Sequence, residues 1–124
     1  MLSYDNRFHG HGSLRYVLTK GQSYRSSLFT LKTTSNRFRK KSRVAVVVSK
    51  KVCKTATGRN RIRRRIYEII RHELSAIEGV HDIVLIVATA DARSMSTLEL
   101  YRSIREQLVK SGLYKKSPKS DTII

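Results

Sequence analysis

The stretch Gly58-Arg59-Asn60-Arg61-Ile62-Arg63-Arg64-Arg65-Ile66 packs five arginines into seven residues, yet sets Ile62 and Ile66 at helical spacing among them. Ile69, Ile70, Leu74 and Ile77 continue those apolar positions as the stripe of a single amphipathic helix. At about 100° per residue, Asn60, Arg61, Arg64, Glu68 and Arg71 fall on the opposite face. A helix anchored along one side and fanned with guanidinium groups on the other suits a surface made of phosphates. An ordinary solvated face would mix signs, whereas only Glu68 and Glu73 oppose the arginines here. An i, i+4 pair between Arg64 and Glu68 accounts for the first of these acids. Thr55 or Thr57 is the expected N-cap, and the helix is expected to end near residues 76–78 with Gly79 as its stop.

Immediately upstream, Arg43 to Ser49 is apolar on both faces and reads as a strand, central in its sheet. It runs into Lys50-Lys51, and a connector from Val52 to Thr57 then brings the positive end of the helix dipole beside the two lysines. Downstream, Asp82 to Val87 reads as a second buried strand. Ser96-Thr97-Leu98-Glu99 is a capping box that opens a last helix with the stripe Leu100, Tyr101, Ile104 and Leu108, stopped at Gly112. Towards the N-terminus, Ser26 to Thr33 alternates as a half-exposed strand, with Phe29 and Leu31 inward and Thr30 and Lys32 outward. Ser13 caps a short helix to Lys20, with Leu14, Val17 and Leu18 as its apolar edge and Gly21 as its stop. The basic stretch Ser35 to Ser42 is a loop in which Phe38 could stack on a base, and a further short strand is expected near it. Helices and strands in the order α, β, β, α, β, α make a two-layer α/β sandwich. Residues 1–114 read as a single domain, with 1–12 an N-terminal arm and 115–124 a frayed tail.

The composition is 40% hydrophobic over 124 residues, enough for one core, which excludes a disordered basic tail. No run approaches the ~20 apolar residues of a membrane span, and the first residues lack the apolar region of a signal peptide. The single cysteine, Cys53, cannot form an internal disulfide and fits a reducing, cytoplasmic location. The formal net charge of +17 lies entirely in residues 1–67, which hold eighteen Lys and Arg against one acid, Asp5. Residues 68–124 balance eight bases with eight acids. Such a field concentrates polyanions, and nucleic acid is the expected partner.

Chemistry of its own is hard to find in this chain. Stand-alone phosphodiester hydrolysis needs an acid or base near the phosphate, or carboxylates to hold metal. The basic half offers only Asp5, His9 and His11, and two histidines without a third ligand make no metal site. Turn or capping roles suffice for Asp82 and Asp91. No catalytic residue and no metal ligand is expected.

Val48-Ser49-Lys50-Lys51 followed by Arg59-Asn60-Arg61-Ile62-Arg63-Arg64 resembles the strand end and "RNR" signature of the bacterial ribonuclease P protein component. The resemblance extends over most of the chain, from Asn6-Arg7-Phe8 and Leu14–Gly21 to Asp82–Ala88 and Leu98–Leu108. It implies an α-β-β-β-α-β-α order, the ribosomal protein S5 domain 2-like fold, with a left-handed β-α-β crossover carrying the arginine helix. It also implies a non-catalytic subunit of an endoribonuclease. The partners would be the catalytic RNA subunit and precursor tRNA, with no membrane and no obligate protein partner. The RNA and its Mg²⁺, bound mainly by that RNA, would remove the 5′ leader and leave the mature 5′ phosphate. Carried over by position, Lys50, Lys51, Arg59, Asn60, Arg61, Arg63 and Arg64 would contact the RNA subunit. Leu14, Leu18, Thr30 and Lys32 would line a cleft for the single-stranded leader. The family commonly has bulky aromatics at positions 14, 18 and 32, so here apolar and electrostatic contact would replace stacking; Tyr16 faces elsewhere on its helix. Tyr67 and Thr89 stand where the family often has basic residues. A general basic RNA-binding or ribosome-assembly module of the same fold is the alternative, and a stand-alone nuclease is disfavoured by the missing acid–base groups.

Overall fold

The computed structural model of the protein describes residues 6–8, 12–36, 40–77 and 79–113. Helix α1 spans Gly12–Lys20, and strands β1 (Gln22–Arg25), β2 (Phe29–Ser35) and β3 (Arg43–Val47) follow. Helix α2 (Ala56–Glu73), strand β4 (His81–Val87) and helix α3 (Thr97–Lys110) complete the α-β-β-β-α-β-α order. The sheet runs β1-β2-β4-β3, antiparallel except for the β3–β4 pair, which α2 connects.

The period-2 pattern of β2 sorts the two faces of this sheet. Phe29 and Leu31 are fully buried in one core with Val44, Val46, Ile83, Leu85 and Val87. Onto this face α2 brings Ile62, Ile66 and Ile70, and α3 brings Leu100, Ile104 and Leu108. Each of these side chains contributes on the order of 1.5–3 kcal/mol by leaving water. Lys32 and Val84 pair across β2 and β4 and so point to the opposite face. There α1 lies, with Val17 and Val84 both fully buried.

The expected strands, helices and capping box are present, but several placements and roles differ. Strand β3 lies at the edge, not in the centre. Val44, Val46 and Val48 are buried on the face that packs into the core, whereas Ala45 and Val47 on the other are half-buried, and β4 pairs with one edge alone. The outer edge is served by a parallel bridge from Arg7 to Val44 and by the Tyr67 hydroxyl, which accepts from Val46 N at 3.0 Å. The additional strand is β1, ahead of β2 rather than near the basic loop. Ser26 starts no strand: its N–H donates to Phe29 O at 2.8 Å and its hydroxyl accepts from Phe29 N at 3.1 Å, closing the β1–β2 turn.

The arginine helix ends at Glu73 and tightens into a 3₁₀ turn, Leu74–Ala76, before Gly79 takes a positive φ of 80°. Ile77 still reaches the core, but from extended backbone beyond the helix. Ser13 sits inside α1 rather than capping it, and its hydroxyl accepts from Arg43 Nη1 at 3.3 Å. Asp82 does more than end a turn. It is buried and receives Arg43 Nε at 2.9 Å and Nη2 at 2.6 Å, while Asn36 Nδ2 donates to it at 2.9 Å. The Phe8 ring covers the same guanidinium at 4.8 Å. His9, His11, Phe38 and the tail lie outside the described residues.

Candidate nucleic-acid interface

Helix α2 begins where Thr55, in extended backbone, accepts from Gly58 N at 3.1 Å through its hydroxyl, which makes it the cap. Gly58 is buried against the connector: a Cβ there would come within 2.5 Å of Cys53 Sγ and 2.7 Å of Thr55 Oγ1. Only glycine allows that approach, and it fixes how the helix leaves Lys50 and Lys51. Those two lysines are exposed in the turn after β3, where Ser49 O accepts from both Val52 N and Cys53 N at 3.1 Å. The first turn of α2 has no acid, so the positive end of its dipole stays uncompensated beside them.

The five arginines divide by what their forks already hold. Arg59 Nη1 donates to Cys53 O at 3.0 Å and Lys54 O at 2.8 Å, tying the connector to the helix. At the other end, Arg65 donates to Ala92 O and Arg93 O at 3.0 Å each and to Met95 O. Both act as staples, since a guanidinium offers five donors in fixed geometry and backbone carbonyls are natural acceptors. Arg63 Nη2 donates to Asn60 Oδ1, which orients the pair along the exposed surface. Arg61 and Arg64 are exposed and have no hydrogen-bond or ion-pair partner among the described residues. Grooves open on both sides of Arg64, one towards Arg61, Arg65 and Glu68 and another towards Asn60, Arg63 and Tyr67.

The expected Arg64–Glu68 pair is not formed. Glu68 turns instead to Arg71 at 2.5 Å, with His72 Nε2 at 3.7 Å. The Arg71 hydrogen bond holds the Glu68 carboxyl below its usual range and raises Arg71 in turn. An acid one turn further along the helix has therefore been paired off without neutralising Arg64. Glu73 is buried, accepts from the Tyr101 hydroxyl and lies 3.9 Å from Arg105 Nε. Burial, and then that hydrogen bond, push the Tyr101 phenol up.

Of the residues expected to line a leader cleft, Leu14 and Leu18 on α1 and Thr30 and Lys32 on the sheet are all half-buried. Thr30 and Lys32 share the face that α1 covers. Lys32 Nζ donates to Leu18 O at 2.7 Å, so part of its ammonium caps the C-terminal end of α1, where a cation is stabilising. Tyr16, expected to face elsewhere on its helix, instead is 58% exposed and borders a groove with Thr34, Ser35 and Asn36. One residue that pattern alone did not single out also marks these surfaces. Arg93 joins Arg61 and Arg64 along α2 from a separate element. Its arginine stood alone in sequence and gave no periodic signal.

Among the described residues no group of three His, Cys, Asp or Glu could hold a metal ion, and Asp82, Glu68 and Glu73 are each committed to a protein partner. No described helix is long and apolar enough to cross a membrane.

A family model described as Ribonuclease P matches residues 2–112. The ribonuclease P protein component of Clostridium kluyveri is 34% identical over 111 residues, 88% of this chain and 96% of that protein. That of a Pseudanabaena species is 34% identical over 93 residues, 75% of this chain and 80% of the relative. The solved RNase P protein of Staphylococcus aureus superposes with a TM-score of 0.78 at 27% identity, covering 89% of this chain and 98% of that one.

Proposed function

Because the chain belongs to the ribonuclease P protein family, we propose that it serves as the protein subunit of ribonuclease P, binding the catalytic RNA and helping it remove the 5′ leader of precursor tRNA. The observation that carries this reading is the division of labour on α2. Arg59 and Arg65 hold backbone carbonyls, while Arg61 and Arg64 remain exposed with no hydrogen-bond or ion-pair partner among the described residues. Unpaired guanidinium forks take phosphate oxygens bidentately, and each phosphate bound releases condensed counterions from the RNA. Lys50, Lys51, Asn60 and Arg63 extend the same edge, and Arg59 contributes mainly by fixing the connector.

Among the described residues no cluster of His, Cys, Asp or Glu fits a protein-held Mg²⁺, and in this reading the metal is held by the RNA. The chain's contribution is to hold phosphates and to present the α1 face of the sheet to the leader. Leu14, Leu18 and Thr30 give that face apolar and hydroxyl surface, Lys32 gives it charge, and Tyr16 is its exposed aromatic ring.

The test is reconstitution with the RNA subunit of the same organism, following precursor-tRNA cleavage at low Mg²⁺ with and without the protein. Correct 5′ cleavage that depends on the protein supports the assignment. Tight RNA binding without any rescue of cleavage would favour the general RNA-binding module, and cleavage by the protein alone would overturn both.

A further inference from the structure

We propose that the groove between the first two turns of α2 and the 3₁₀ turn Ala90–Arg93 is a seat for one backbone phosphate of the bound RNA, with Arg93 as its outer wall. The inference rests on the subunit reading and carries its contact edge off the helix onto a second element. Thr57, Asn60, Arg61, Arg64 and Arg93 line the groove. The Arg93 guanidinium lies over the start of α2, where a Cβ added at Gly58 would meet its Nη1 at 3.4 Å, an ordinary contact. Three guanidinium groups thus converge beside the positive end of the α2 dipole. The acid on α2 that borders the neighbouring groove, Glu68, is taken by Arg71 and His72. Among the described residues Arg61, Arg64 and Arg93 have no side-chain hydrogen-bond or ion-pair partner. Convergent like charges repel, and an anion between them removes that cost. The donors suit a tetrahedral phosphate: three forks, the Thr57 hydroxyl and the Asn60 amide, whose Oδ1 already accepts from Arg63.

The position of Arg93 is fixed by its backbone. Arg65 holds Ala92 O, Arg93 O and Met95 O from α2, Thr89 Oγ1 accepts from Asp91 N at 3.3 Å, and Ala92 is fully buried. The turn is therefore pinned on both sides, and Arg65 acts as a positioning residue for Arg93.

Arg93→Ala deletes the guanidinium but keeps the carbonyl that Arg65 binds, so the fold should survive the test. Equilibrium binding of the full chain to its cognate ribonuclease P RNA would be measured across a range of monovalent salt, with thermal melting as the control. The seat predicts roughly tenfold weaker binding for Arg93→Ala and a salt slope shallower by about 0.7–0.9, the share of one phosphate, at an unchanged melting temperature. Arg93→Lys should keep most of the slope, because the charge remains. If Arg93→Ala binds with the wild-type slope while Arg61→Ala weakens binding, the seat is overturned and the subunit reading stands. If neither variant changes RNA binding, the contact edge on α2 falls together with the seat.

Discussion

Arg43 and Arg64 carry the same guanidinium and are put to opposite uses. The Arg43 side chain is 9% exposed, faces an Asp82 carboxylate that is 6% exposed, and has Ser13 and the Phe8 ring around it. Arg64 is exposed and has no hydrogen-bond or ion-pair partner among the described residues. The contrast teaches where each charge is spent. A buried charge must be matched within the fold, because leaving it bare costs several kcal/mol, so whatever Arg43 can offer is consumed in joining α1, β3 and β4. An exposed arginine loses little by standing alone, and its hydrogen-bonding capacity stays available to a ligand.

If that distinction is right, removing the buried partner should damage the fold and spare recognition. Asp82→Ala strands the Arg43 cation and is expected to cost about 3–5 kcal/mol, which for a chain of this size lowers the melting temperature by roughly 10–20 °C. Replacing Arg43 and Asp82 together with apolar residues should recover most of that loss. A single variant that melts like the wild type would mean the pair is not buried in solution. The exposed class should behave in reverse. Arg61→Ala combined with Arg64→Ala is expected to leave melting unchanged within about 0.5 kcal/mol while flattening the salt dependence of RNA binding by at least about 0.7–0.9 in slope, the share of the one phosphate they seat. An unchanged slope in that variant would remove the arginine face from the interface.

How far these roles could be read from sequence follows from what a pattern encodes. Ile62, Ile66 and Ile70 at helical spacing, and Ser96 with Glu99, specify local geometry directly, and α2 and the start of α3 stand where they should. Edge or centre is a different kind of fact. The run from Val44 to Val48 is apolar on both faces although Ala45 and Val47 are only half-buried, and nothing in it shows that Tyr67 and Arg7 would serve an outer edge. The position of β1 was hidden because Gln22-Ser23-Tyr24-Arg25 is mostly exposed and has no apolar alternation to reveal it. The arginine face was legible as a set but not as individuals. Arg59 and Arg65 are distinguished from Arg61 and Arg64 only by carbonyls at Cys53, Lys54, Ala92, Arg93 and Met95, groups that every residue possesses and no sequence displays. Asp82 was misjudged for the same reason, since its partner Arg43 lies on a different strand.

Glu68 sits between the two classes, an acid on the arginine helix whose pairing is exposed, and it should give the smallest effect. Arg71 holds its carboxyl below the ordinary value of 4.5. A carboxyl depressed in the folded state adds stability above its unfolded value, and that contribution is lost as pH falls through the lower folded value. Because both partners lie in water and are screened, the acid limb of the melting curve for Glu68→Gln should nearly overlay that of the wild type. The same substitution removes a negative charge from the groove shared with Arg61 and Arg64, so RNA binding should tighten slightly at low salt and converge with wild type at high salt. A large loss of acid stability would place Glu68 with Asp82, as a charge the fold depends on. Weaker RNA binding would show that Glu68 orients the arginines rather than merely sparing them.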